Sequence, residues 1–542
     1  METIQELFER FDQLNSVGTA LSKERDLARL LEQILVAAQN FTHADGGTIY
    51  LVDEDKRALT FEIMRTNSMG IAIGGTTGKK VTFPPLSLTN RDGSPNVAQV
   101  ATYTALNDKT VTIADAYHEQ GFDFSGTRAF DKATGYRSKS FLTVPLKNHE
   151  NTVIGVLQLI NAKDPKTGET IPFNPTNQRL AESLASQAAV ALTNRQLIEQ
   201  LTALFEALIN LINTAIDEKS PYTSGHCQRV PELTMMLAEA TEAMSTGPYA
   251  DFKMSERDRY ELRLAGLLHD CGKIVTPVHV VDKATKLQTL YDRIETVDTR
   301  IELLKRDARI QMLEARLAGN SGLTDAELQA QYEQEVAALD DARDFLRHSN
   351  KGGEAMSEQE QQRVRDLAIA RNWVNADGDL VPFLSQNETE NLCIRAGTLT
   401  QEERTIINNH IVATNKMLEQ LPWPRHLVNV PEYAGGHHER MDGKGYPKGL
   451  TKEQMSLQAR MMGIADVFEA LTAGDRPYKP GMKMSQALGI LANMAATGHI
   501  DADLFEVFMV QKVYLLYADR FLHREQIDDY DAEEILRKAR GR

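Results

Sequence analysis

The stretch GGHHERMDGKGYPKGL, residues 435–450, places two adjacent histidines before a loop rich in glycine and charge. Adjacent side chains of an extended segment point to opposite sides, so a fold that uses both His437 and His438 must surround them with other elements. Glycines permit tight backbone geometry, so the residues that follow are predicted to form a loop at the entrance of a site. The stretch therefore predicts a histidine site that distant parts of the chain complete.

Ionisable side chains also interrupt two apolar helical segments. In ELRLAGLLHDCGK, residues 261–273, the apolar spacing places His269 and Asp270 at the buried end of a helix. In MMGIADVFEAL, residues 461–471, Asp466 lies in the middle of a segment that is apolar nearly all round. A buried carboxylate is costly without a cation or an arginine beside it, so each segment predicts a charged partner.

Two further histidines share this pattern. His410 precedes Ile411 in a helical segment that opens with a capping box, and His226 lies near the start of another helix. Singly, each is more often a core histidine that a backbone carbonyl satisfies. Together the set offers six or seven nitrogen and oxygen ligands without a thiolate, which suits two octahedral ions bridged by a carboxylate and a water. Asp270 is the candidate bridge because its carboxylate has two oxygens.

The order of these motifs resembles that of the HD-GYP phosphodiesterases, a bacterial branch of the HD superfamily that hydrolyses cyclic di-GMP. The likeness covers about residues 202–290 and 398–521, and rests on an ordered set: His226, HDCGK at 269–273, His410, HHERMDGKGYPKGL at 437–450, and Asp466. It implies an all-α helical bundle that holds two divalent metal ions, iron or manganese.

The resemblance also implies residue roles. One ion is held by His226, His269, Asp270 and Asp466, and the other by Asp270, His410, His437 and His438. Lys273 contacts the scissile phosphate, so that Lys273 and Asp270 are the predicted catalytic residues. Substrate phosphates are expected at Arg476 and Lys479 of GDRPYKPG, residues 474–481. Arg440 and Lys444 are further substrate-binding candidates, and a solvated charged loop is the alternative for them.

The chain departs from the family pattern in two places. Residues 288–396 form a highly charged segment, predicted to be a helical insertion with an antiparallel hairpin that turns at AGNSGLT, residues 318–324. KATKL at 283–287 and AGTLTQEE at 396–403 look like two halves of one family motif, separated by this insertion. Some members hold a third metal through a glutamate, but that position is Tyr222, so two ions are expected, with Glu218 as a further candidate.

The first 176 residues differ in character. GGTIYLVDEDKRALTFEIMRT at 46–66 and KSFLTVPLKNHENTVIGVLQLIN at 139–161 are each two β-rich runs around a charged turn. With helices on either side, they predict an α+β domain with an antiparallel sheet. The second stretch resembles the GAF domains of cyclic-nucleotide phosphodiesterases.

The cyclic-nucleotide signature of such GAF domains is incomplete here. Asn161-Ala162, Phe173 and Asn177-Gln178 stand where Asn-Lys, Phe and Asp-Glu are expected. Another small ligand or a role in dimerisation is left open, with ordinary loop residues as the alternative for the candidate lining residues. Those candidates are Asp115, Phe130, Asp131 and Tyr136.

Residues 177–219 contain no proline or glycine and are predicted to form one connector helix. Apolar residues repeat along it at alternating steps of four and three, with leucine at d and one asparagine at a, which favours a parallel two-stranded coiled coil. The alternative is an amphipathic helix packed on its own domain. The seam consists of Val190, Asn194, Leu197, Leu201, Leu204, Leu208 and Leu211.

Length and composition restrict the class of protein. The 542 residues, 42% hydrophobic and 25% charged, predict two or more globular domains. No apolar run approaches the length of a membrane helix, and the N-terminus lacks a secretory pattern, so a cytoplasmic location is expected. Three cysteines cannot form a disulfide framework, and a net charge of −16 argues against general binding of nucleic-acid polymers.

These features predict a multidomain, dimeric sensor and effector. A GAF domain at 1–176 is followed by a connector helix at 177–219 and an all-α HD-GYP domain at 220–542. The expected reaction is hydrolysis of cyclic di-GMP to pGpG and/or GMP, regulated by an unidentified small ligand of the GAF domain. Two alternatives are a cyclic-dinucleotide sensor with weak catalysis and a hydrolase of another cyclic dinucleotide such as 3′,3′-cGAMP.

Overall fold

The chain was analysed as a computed structural model, which describes residues 15–21, 23–24, 26–53, 55, 57–219, 225–319, 322–352, 355–474 and 481–541. It divides into two compact units, residues 1–206 and 207–542. Strands predominate in the first unit before residue 175, and helices predominate in the second.

The first unit is built on an antiparallel sheet. The strand order is β3-β2-β1-β7-β6-β5, with β4 beside β2 and β8 beside β7. The two predicted hairpins are β1–β2 and β6–β7, and the pairing of β1 with β7 joins them at the centre of the sheet. In chain order the elements are α1 (Leu27–Thr42), β1 (Ala44–Val52), β2 (Ala58–Thr66), β3 (Ile71–Gly74), a 3-10 turn (Gly75–Thr77), β4 (Leu86–Ser87), α2 (Val100–Asn107), β5 (Val111–Ile113), α3 (Ser125–Thr134), β6 (Phe141–Lys147), β7 (Val153–Lys163) and β8 (Thr170–Ile171).

The core of this unit lies between one face of the sheet and two helices. Ile49 of β1 pairs with Leu157 of β7, and both side chains are fully buried. Ile34 and Leu35 of α1 pack in the same cluster, because α1 presents one apolar face at helical spacing. Leu184 joins them from the helix that follows β8. The predicted α+β fold with an antiparallel sheet is confirmed.

The connector is a single helix, α4 (Pro175–Lys219), which begins in the first unit and ends in the second. Its seam is open along the middle: Leu201, Leu204 and Leu211 are 65%, 66% and 64% exposed. An amphipathic helix packed on its own domain would bury these leucines, so their exposure argues against that alternative. The two-stranded coiled coil stays a prediction.

The second unit is a helical bundle. Its central helix is apolar on almost every side because other helices surround it, and Phe468 in its middle is fully buried. After α4 the elements are α5 (His226–Glu242), α6 (Glu256–Leu268), a 3-10 helix (Cys271–Val275), α7 (Val278–Val281), α8 (Ile294–Ala318), α9 (Asp325–Asn350), α10 (Glu358–Ala370), β9 (Asn372–Val374), β10 (Leu380–Pro382), α11 (Gln386–Leu392), α12 (Gln401–Asn408), α13 (His410–Glu419), α14 (Val430–Gly435), a 3-10 turn (Lys452–Gln454), the central helix α15 (Leu457–Thr472), α16 (Met484–Ala496), α17 (Ala502–Val510), α18 (Val513–Phe521), a 3-10 turn (Arg524–Gln526) and α19 (Ala532–Ala539).

The segment between α7 and α12 has a small core of its own. Helices α8 and α9 lie antiparallel, since Asp298 pairs with Arg347 and Lys305 pairs with Asp340. Val297, Ile301 and Leu346 are fully buried between them and the helices that follow. The hairpin was expected, whereas α10, the β9–β10 pair and α11 extend the segment beyond it.

The chain ends that flank this segment meet in space. The ammonium of Lys283, whose side chain is 1% exposed, lies 2.7 Å from a carboxylate oxygen of Glu403. The Thr398 hydroxyl donates to the Lys283 carbonyl over 2.8 Å. KATKL and AGTLTQEE are therefore adjacent in the fold, as the interpretation of one divided motif requires.

Candidate metal centre

Helix ends of the second unit converge on the predicted site. His226 opens α5, His269 caps the C-terminus of α6, and His410 opens α13. His437 and His438 follow the end of α14, while Asp466 projects from the middle of α15. Because each ligand sits at or beside a helix terminus or on the central helix, the bundle brings together residues that are up to 240 positions apart in sequence.

Gly272 permits the close approach of two of these elements. A Cβ atom at this residue would lie 2.0 Å from the carbonyl oxygen of His410, so only glycine fits. The Gly272 amide also donates to the hydroxyl of Thr414 over 2.9 Å. The glycine of the HDCGK motif thereby holds the turn after Asp270 against α13.

One group of ligand atoms surrounds the second carboxylate oxygen of Asp270. Nε2 of His226 lies 3.1 Å from Asp270 Oδ2 and 3.3 Å from Asp466 Oδ1. Nε2 of His269 lies 3.3 Å from the same Asp270 oxygen. His226, His269 and Asp466 therefore form a compact group with ligand atoms within 4.8 Å of one another.

A second group lies beside the other oxygen of Asp270. Nε2 of His410 is 3.2 Å from Asp270 Oδ1 and 3.2 Å from Nε2 of His438. His410, His437 and His438 have ligand atoms within 4.8 Å of one another, and His269, Asp270 and His437 form a third such group. The two oxygens of Asp270 thus face different histidine sets.

Backbone carbonyls hold three of the imidazoles. Nδ1 of His269 lies 2.6 Å from the carbonyl of Gly266, and Nδ1 of His437 lies 2.6 Å from that of Ala434. Nδ1 of His410 is held in the same way, three residues after its partner carbonyl. A carbonyl only accepts, so each Nδ1 donates, and in the neutral ring each Nε2 presents a lone pair to the centre.

Lone pairs therefore face one another in this centre. His437 Nε2 and Asp270 Oδ1 are buried and accept no hydrogen bond from the described residues. His410 Nε2 approaches that same oxygen to 3.2 Å, so the close pair consists of two acceptors. Buried acceptors in contact need a shared cation, and the residues present fit a pair of divalent ions.

The charge states of His437, His438 and Asp270 support the same conclusion. Burial and the neighbouring His438 and His269 hold the pKa of His437 well below its usual range, and burial lowers the pKa of His438 to about 4. Burial disfavours the carboxylate of Asp270, but Lys273 and His269 outweigh it and hold its pKa well below the usual range. Neutral imidazoles and an ionised carboxylate are the forms that bind metal.

A carboxylate that the sequence interpretation missed lies behind His226. Glu469 Oε2 is 2.5 Å from His226 Nδ1, and the guanidinium of Arg229 donates to the other Glu469 oxygen over 2.7 Å. Burial opposes protonation of His226, but Asp270, Asp466 and Glu469 outweigh it and raise its pKa. Glu469 follows Asp466 by three residues on α15, and this helical spacing was the signal that could have revealed it.

Lys273 lies at the edge of the centre. Its ammonium is 2.5 Å from Asp270 Oδ2, and its side chain is 20% exposed. Burial disfavours the charge, yet Asp270 and Asp466 outweigh it and raise the pKa of Lys273. The lysine therefore carries a positive charge where the candidate ligands meet solvent.

A cavity of about 350 Å³ opens beside the centre and shares His437, His438 and Asp466 with it. Arg440 lines it and donates to Asp442 over 2.9 Å, while its Nε is buried without a hydrogen-bond partner among the described residues. His499 lines the same cavity and was not anticipated from the sequence. The predicted Lys444 also borders it, but its side chain is 78% exposed.

The loop after the histidine pair is held in place by a buried acid. Glu439 accepts the Lys448 and Leu450 amides over 2.7 and 2.9 Å. The ring of Tyr446 stacks on His438 at 4.9 Å between centroids. Tyr446 of the GYP segment thus forms part of the cavity wall, as expected for a loop that shapes an entrance.

Other predicted site residues are not brought to the centre. Glu218 is exposed and belongs to none of the ligand groups among the described residues. Arg476, Lys479 and Tyr222 lie outside the described residues.

The first unit has a cavity of about 300 Å³ against its sheet. Phe130 and Tyr136 line it as predicted, together with aromatic residues of β1, β2 and β6. Asp131 does not line it, because its carboxylate accepts from Ser138 and Tyr117 over 2.8 Å. Asp115 is likewise outside the lining and accepts the Tyr117 amide, so the prediction was wrong for both acids.

Family models assign the two units. The model of the GAF domain matches residues 26–192, and models of the HD domain match residues 223–350 and 386–504. The chain contains a GAF domain and an HD domain. Residues 351–385, which lie between the two HD matches, fall within the segment that carries its own core.

Curated relatives match a limited region of the chain. A 3′3′-cGAMP-specific phosphodiesterase of Vibrio cholerae is 35% identical over 120 residues, which cover 22% of this chain and 27% of that protein. A cyclic di-GMP phosphodiesterase of Pseudomonas aeruginosa is 38% identical over 115 residues, which cover 21% and 27%. The chain thus spans about a quarter of the length of these relatives.

Among solved structures, the GAF domain of an Acinetobacter phosphoenolpyruvate-protein phosphotransferase is 16% identical, with a TM-score of 0.26. The match covers 36% of this chain and 98% of that one. The assignment of the GAF domain rests instead on the family model and the sheet order. Among the described residues, no helix has the length and apolar character that crossing a membrane requires.

Proposed function

We propose that the chain is a two-metal phosphodiesterase that hydrolyses cyclic di-GMP to pGpG and/or GMP. The observation that carries the proposal is the Asp270 carboxylate, whose two oxygens lie 3.1 and 3.2 Å from His226 and His410 in separate ligand groups. A carboxylate shared in this way is the bridge that a two-metal hydrolase requires. The names of the matched relatives support cyclic dinucleotides as the substrate class.

The donor set supports iron or manganese. His226, His269, Asp270 and Asp466 would hold one ion, and Asp270, His410, His437 and His438 the other. Burial raises the pKa of Cys227 to about 12 and of Cys271 to about 11, so neither nearby thiol offers a thiolate. When bound, such ions would lower the pKa of a water and neutralise phosphodiester oxygens.

The chain's own cations complete the proposed site. The ammonium of Lys273 stabilises negative charge on the scissile phosphate, because its contact with Asp270 places it beside the metal ligands. Arg440 binds the substrate within the 350 Å³ cavity, and Lys444 contributes from the rim. Arg476 and Lys479 stay proposed phosphate contacts on the family resemblance alone.

A second candidate is hydrolysis of 3′,3′-cGAMP. It is favoured by the relative whose name specifies that substrate and whose identity to this chain is comparable to that of the cyclic di-GMP enzyme. The two substrates differ in one purine base, whereas the ions would act on the phosphodiester that both share, so the metal centre gives no reason to prefer one of them.

Regulation is proposed to come from the GAF domain in a homodimer. The cavity of about 300 Å³, lined mainly by aromatic and apolar side chains, suits a small ligand with an apolar ring. The exposed leucines of α4 suit pairing with a second copy of the same helix. Ligand binding would then act on hydrolysis through α4.

The test combines metal analysis with a panel of cyclic dinucleotides and identification of the products. Wild-type protein should contain about two iron or manganese ions per chain and hydrolyse cyclic di-GMP. The double variant His269→Ala/Asp270→Ala should lose both metal and turnover, whereas the exposed control His279→Ala should retain both.

Three results would contradict parts of this proposal. Full hydrolysis by the double variant would exclude the metal centre as the catalytic site. Turnover of 3′,3′-cGAMP alone would identify the second candidate. Binding of cyclic di-GMP without turnover by metal-loaded protein would indicate a sensor.

A further inference from the structure

The last turn of α4 contacts both segments that present the metal centre. Lys219, the final residue of the helix, directs its ammonium to the 3-10 helix Cys271–Val275. Asp217, two residues earlier, accepts the amide of Gly225, which directly precedes His226. The end of the connector therefore contacts two segments of the candidate site. Asp217 contacts the segment that leads into His226, and Lys219 contacts the segment that follows Asp270.

The lysine contact fixes the backbone of Lys273. Nζ of Lys219 donates to the Lys273 carbonyl over 3.1 Å and also to the carbonyl of Ile274. The Lys273 carbonyl also accepts the Thr276 amide over 3.1 Å, so the lysine adds a second donor to it. An ammonium beside the C-terminal carbonyls of a helix also suits the helix dipole. Since the Lys273 side chain contacts Asp270, the backbone position of Lys273 determines where its charge lies.

The aspartate contact fixes the start of α5. Oδ2 of Asp217 lies 3.4 Å from the amide nitrogen of Gly225, the N-cap residue of α5. Gly225 adopts a φ of 76°, which glycine tolerates without strain. The hydrogen bond from its amide to Asp217 helps to hold the turn that leads into His226. The orientation of the His226 imidazole is then completed by Glu469.

Near its end, α4 buries one polar residue between two apolar ones. Ile209, Asn213 and Ile216 share one face of the helix at helical spacing and are 2%, 4% and 2% exposed. Both amide atoms of Asn213 are buried and make no hydrogen bond within the described part of the chain. A buried unpaired amide costs stability, so this packing is weaker than an apolar residue of the same size would make it.

We infer that Asp217 and Lys219 are positioning residues, through which helix α4 sets the placement of His226 and Lys273 and hence the rate of hydrolysis. The inference rests on the proposed function for its effect on turnover, but the contacts themselves do not. The unpaired amide of Asn213 lowers the stability of this part of α4, so a small change in free energy there would affect the two contacts.

The test uses the full-length, metal-loaded protein. Lys219→Met removes the donor but keeps the length of the side chain, and Lys219→Arg restores a donor. Lys538→Met is the matched control, because Lys538 also donates to a backbone carbonyl, that of Gly489, away from the centre. Hydrogen exchange of the peptide that covers residues 271–276 is measured beside kcat, KM and metal content.

We expect Lys219→Met to raise amide exchange in residues 271–276 and to lower kcat about tenfold, with KM and metal content within about twofold of wild type. Lys219→Arg should recover most of both effects, and Lys538→Met should match wild type. Asn213→Leu should raise the melting temperature and slow exchange in the same peptide, because it replaces an unpaired amide by an apolar side chain.

Unchanged exchange in Lys219→Met, or raised exchange with unchanged kcat, would overturn the inference. If Lys219→Met does not fold, Asp217→Ala, which removes the acceptor of the Gly225 amide, carries the same comparison through exchange of residues 225–230. Absence of cyclic-dinucleotide turnover in the wild type would contradict the proposed function instead. The exchange data would then decide alone whether Lys219 and Asp217 position residues 271–276 and 225–230.

Discussion

Glu469 lies directly behind His226, with 2.5 Å between the carboxylate oxygen and Nδ1 of the imidazole. The opposite nitrogen of the same ring faces Asp270 and Asp466. A carboxylate in this position orients a ligating imidazole and raises its basicity.

Removal of this carboxylate should weaken metal binding. We expect Glu469→Gln to lower the affinity for iron or manganese about tenfold to a hundredfold, since an amide holds the imidazole without the charge. Metal titration of the metal-free protein measures the effect, with the exposed Glu402→Gln as the control. Equal affinities in Glu469→Gln and wild type would show that Glu469 has only a structural role.

Gly272→Ala should destabilise the HD domain. The new Cβ would meet the His410 carbonyl at 2.0 Å and the Thr414 amide nitrogen at 2.5 Å, so the turn must move away from α13. We expect a loss of about 3 kcal/mol or more in the free energy of unfolding, together with reduced metal content. Gly489→Ala on α16 is the control: its Cβ meets no atom within 4 Å, and a gain of about 0.5–1 kcal/mol is expected. Denaturant unfolding compares the two, and similar stabilities would contradict the close approach.

Arg440→Ala should weaken substrate binding more than it slows chemistry. The arginine lines the cavity beside the metal ligands, so its loss should raise KM for cyclic di-GMP about tenfold while kcat changes less. Turnover of bis(p-nitrophenyl) phosphate, which is too small to fill the cavity, should be unaffected. Arg425→Ala, on an exposed residue, is the control. An equal loss on both substrates would place Arg440 in the metal centre or in the fold instead.

The buried carboxylate of Asp501 should make stability depend on pH. It lies 2.5 Å from Arg460 and 3.0 Å from Lys452. Burial opposes its charge, but these cations outweigh it and hold the pKa of Asp501 below its ordinary value of 3.8. A depressed folded pKa gives stability that is present above the unfolded value and lost as the pH falls through the folded one.

Asp501→Asn should therefore cost about 3 kcal/mol at pH 7, and this difference from wild type should shrink below about pH 4. Unfolding measured across this pH range checks it. Asp503→Asn, which removes a more exposed partner of Lys452, should change stability by less than about 1 kcal/mol. If the stability difference between wild type and Asp501→Asn grew as the pH fell, it would contradict a lowered pKa of Asp501 in the folded protein.

Leu204→Glu should disrupt the proposed dimer. Leu204 is 66% exposed in the single chain and occupies a d position of the seam. A charge there would be buried between two helices, so the monomer should predominate at concentrations where wild type is dimeric. Gln196→Glu adds the same charge at an exposed c position, away from the seam and its flanking positions, and should leave the mass unchanged. Sedimentation equilibrium decides, and a wild-type monomer would exclude the coiled coil.

The candidate site was largely predictable because its ligands are costly to bury without a cation. The apolar periodicity of the segments that contain His269, Asp270 and Asp466 indicates burial. The order of the family motifs identified the other candidate ligands. Glu469 was missed because a glutamate on a mostly apolar helix also suits a surface position. His499 was missed because a single histidine carries no pattern that indicates a cavity.

The sequence by itself predicted the connector helix and the burial of His269, Asp270 and Asp466, because periodicity specifies elements and burial. Its resemblance to two known families indicated the two domain types and the full set of seven candidate ligands. Only the tertiary structure decided that the two oxygens of Asp270 face separate groups, that Glu469 supports His226, and that Asp217 and Lys219 reach the site. These relationships join residues distant in sequence, and their distances depend on how helices pack. Packing is set by the whole bundle, so local pattern does not reveal it.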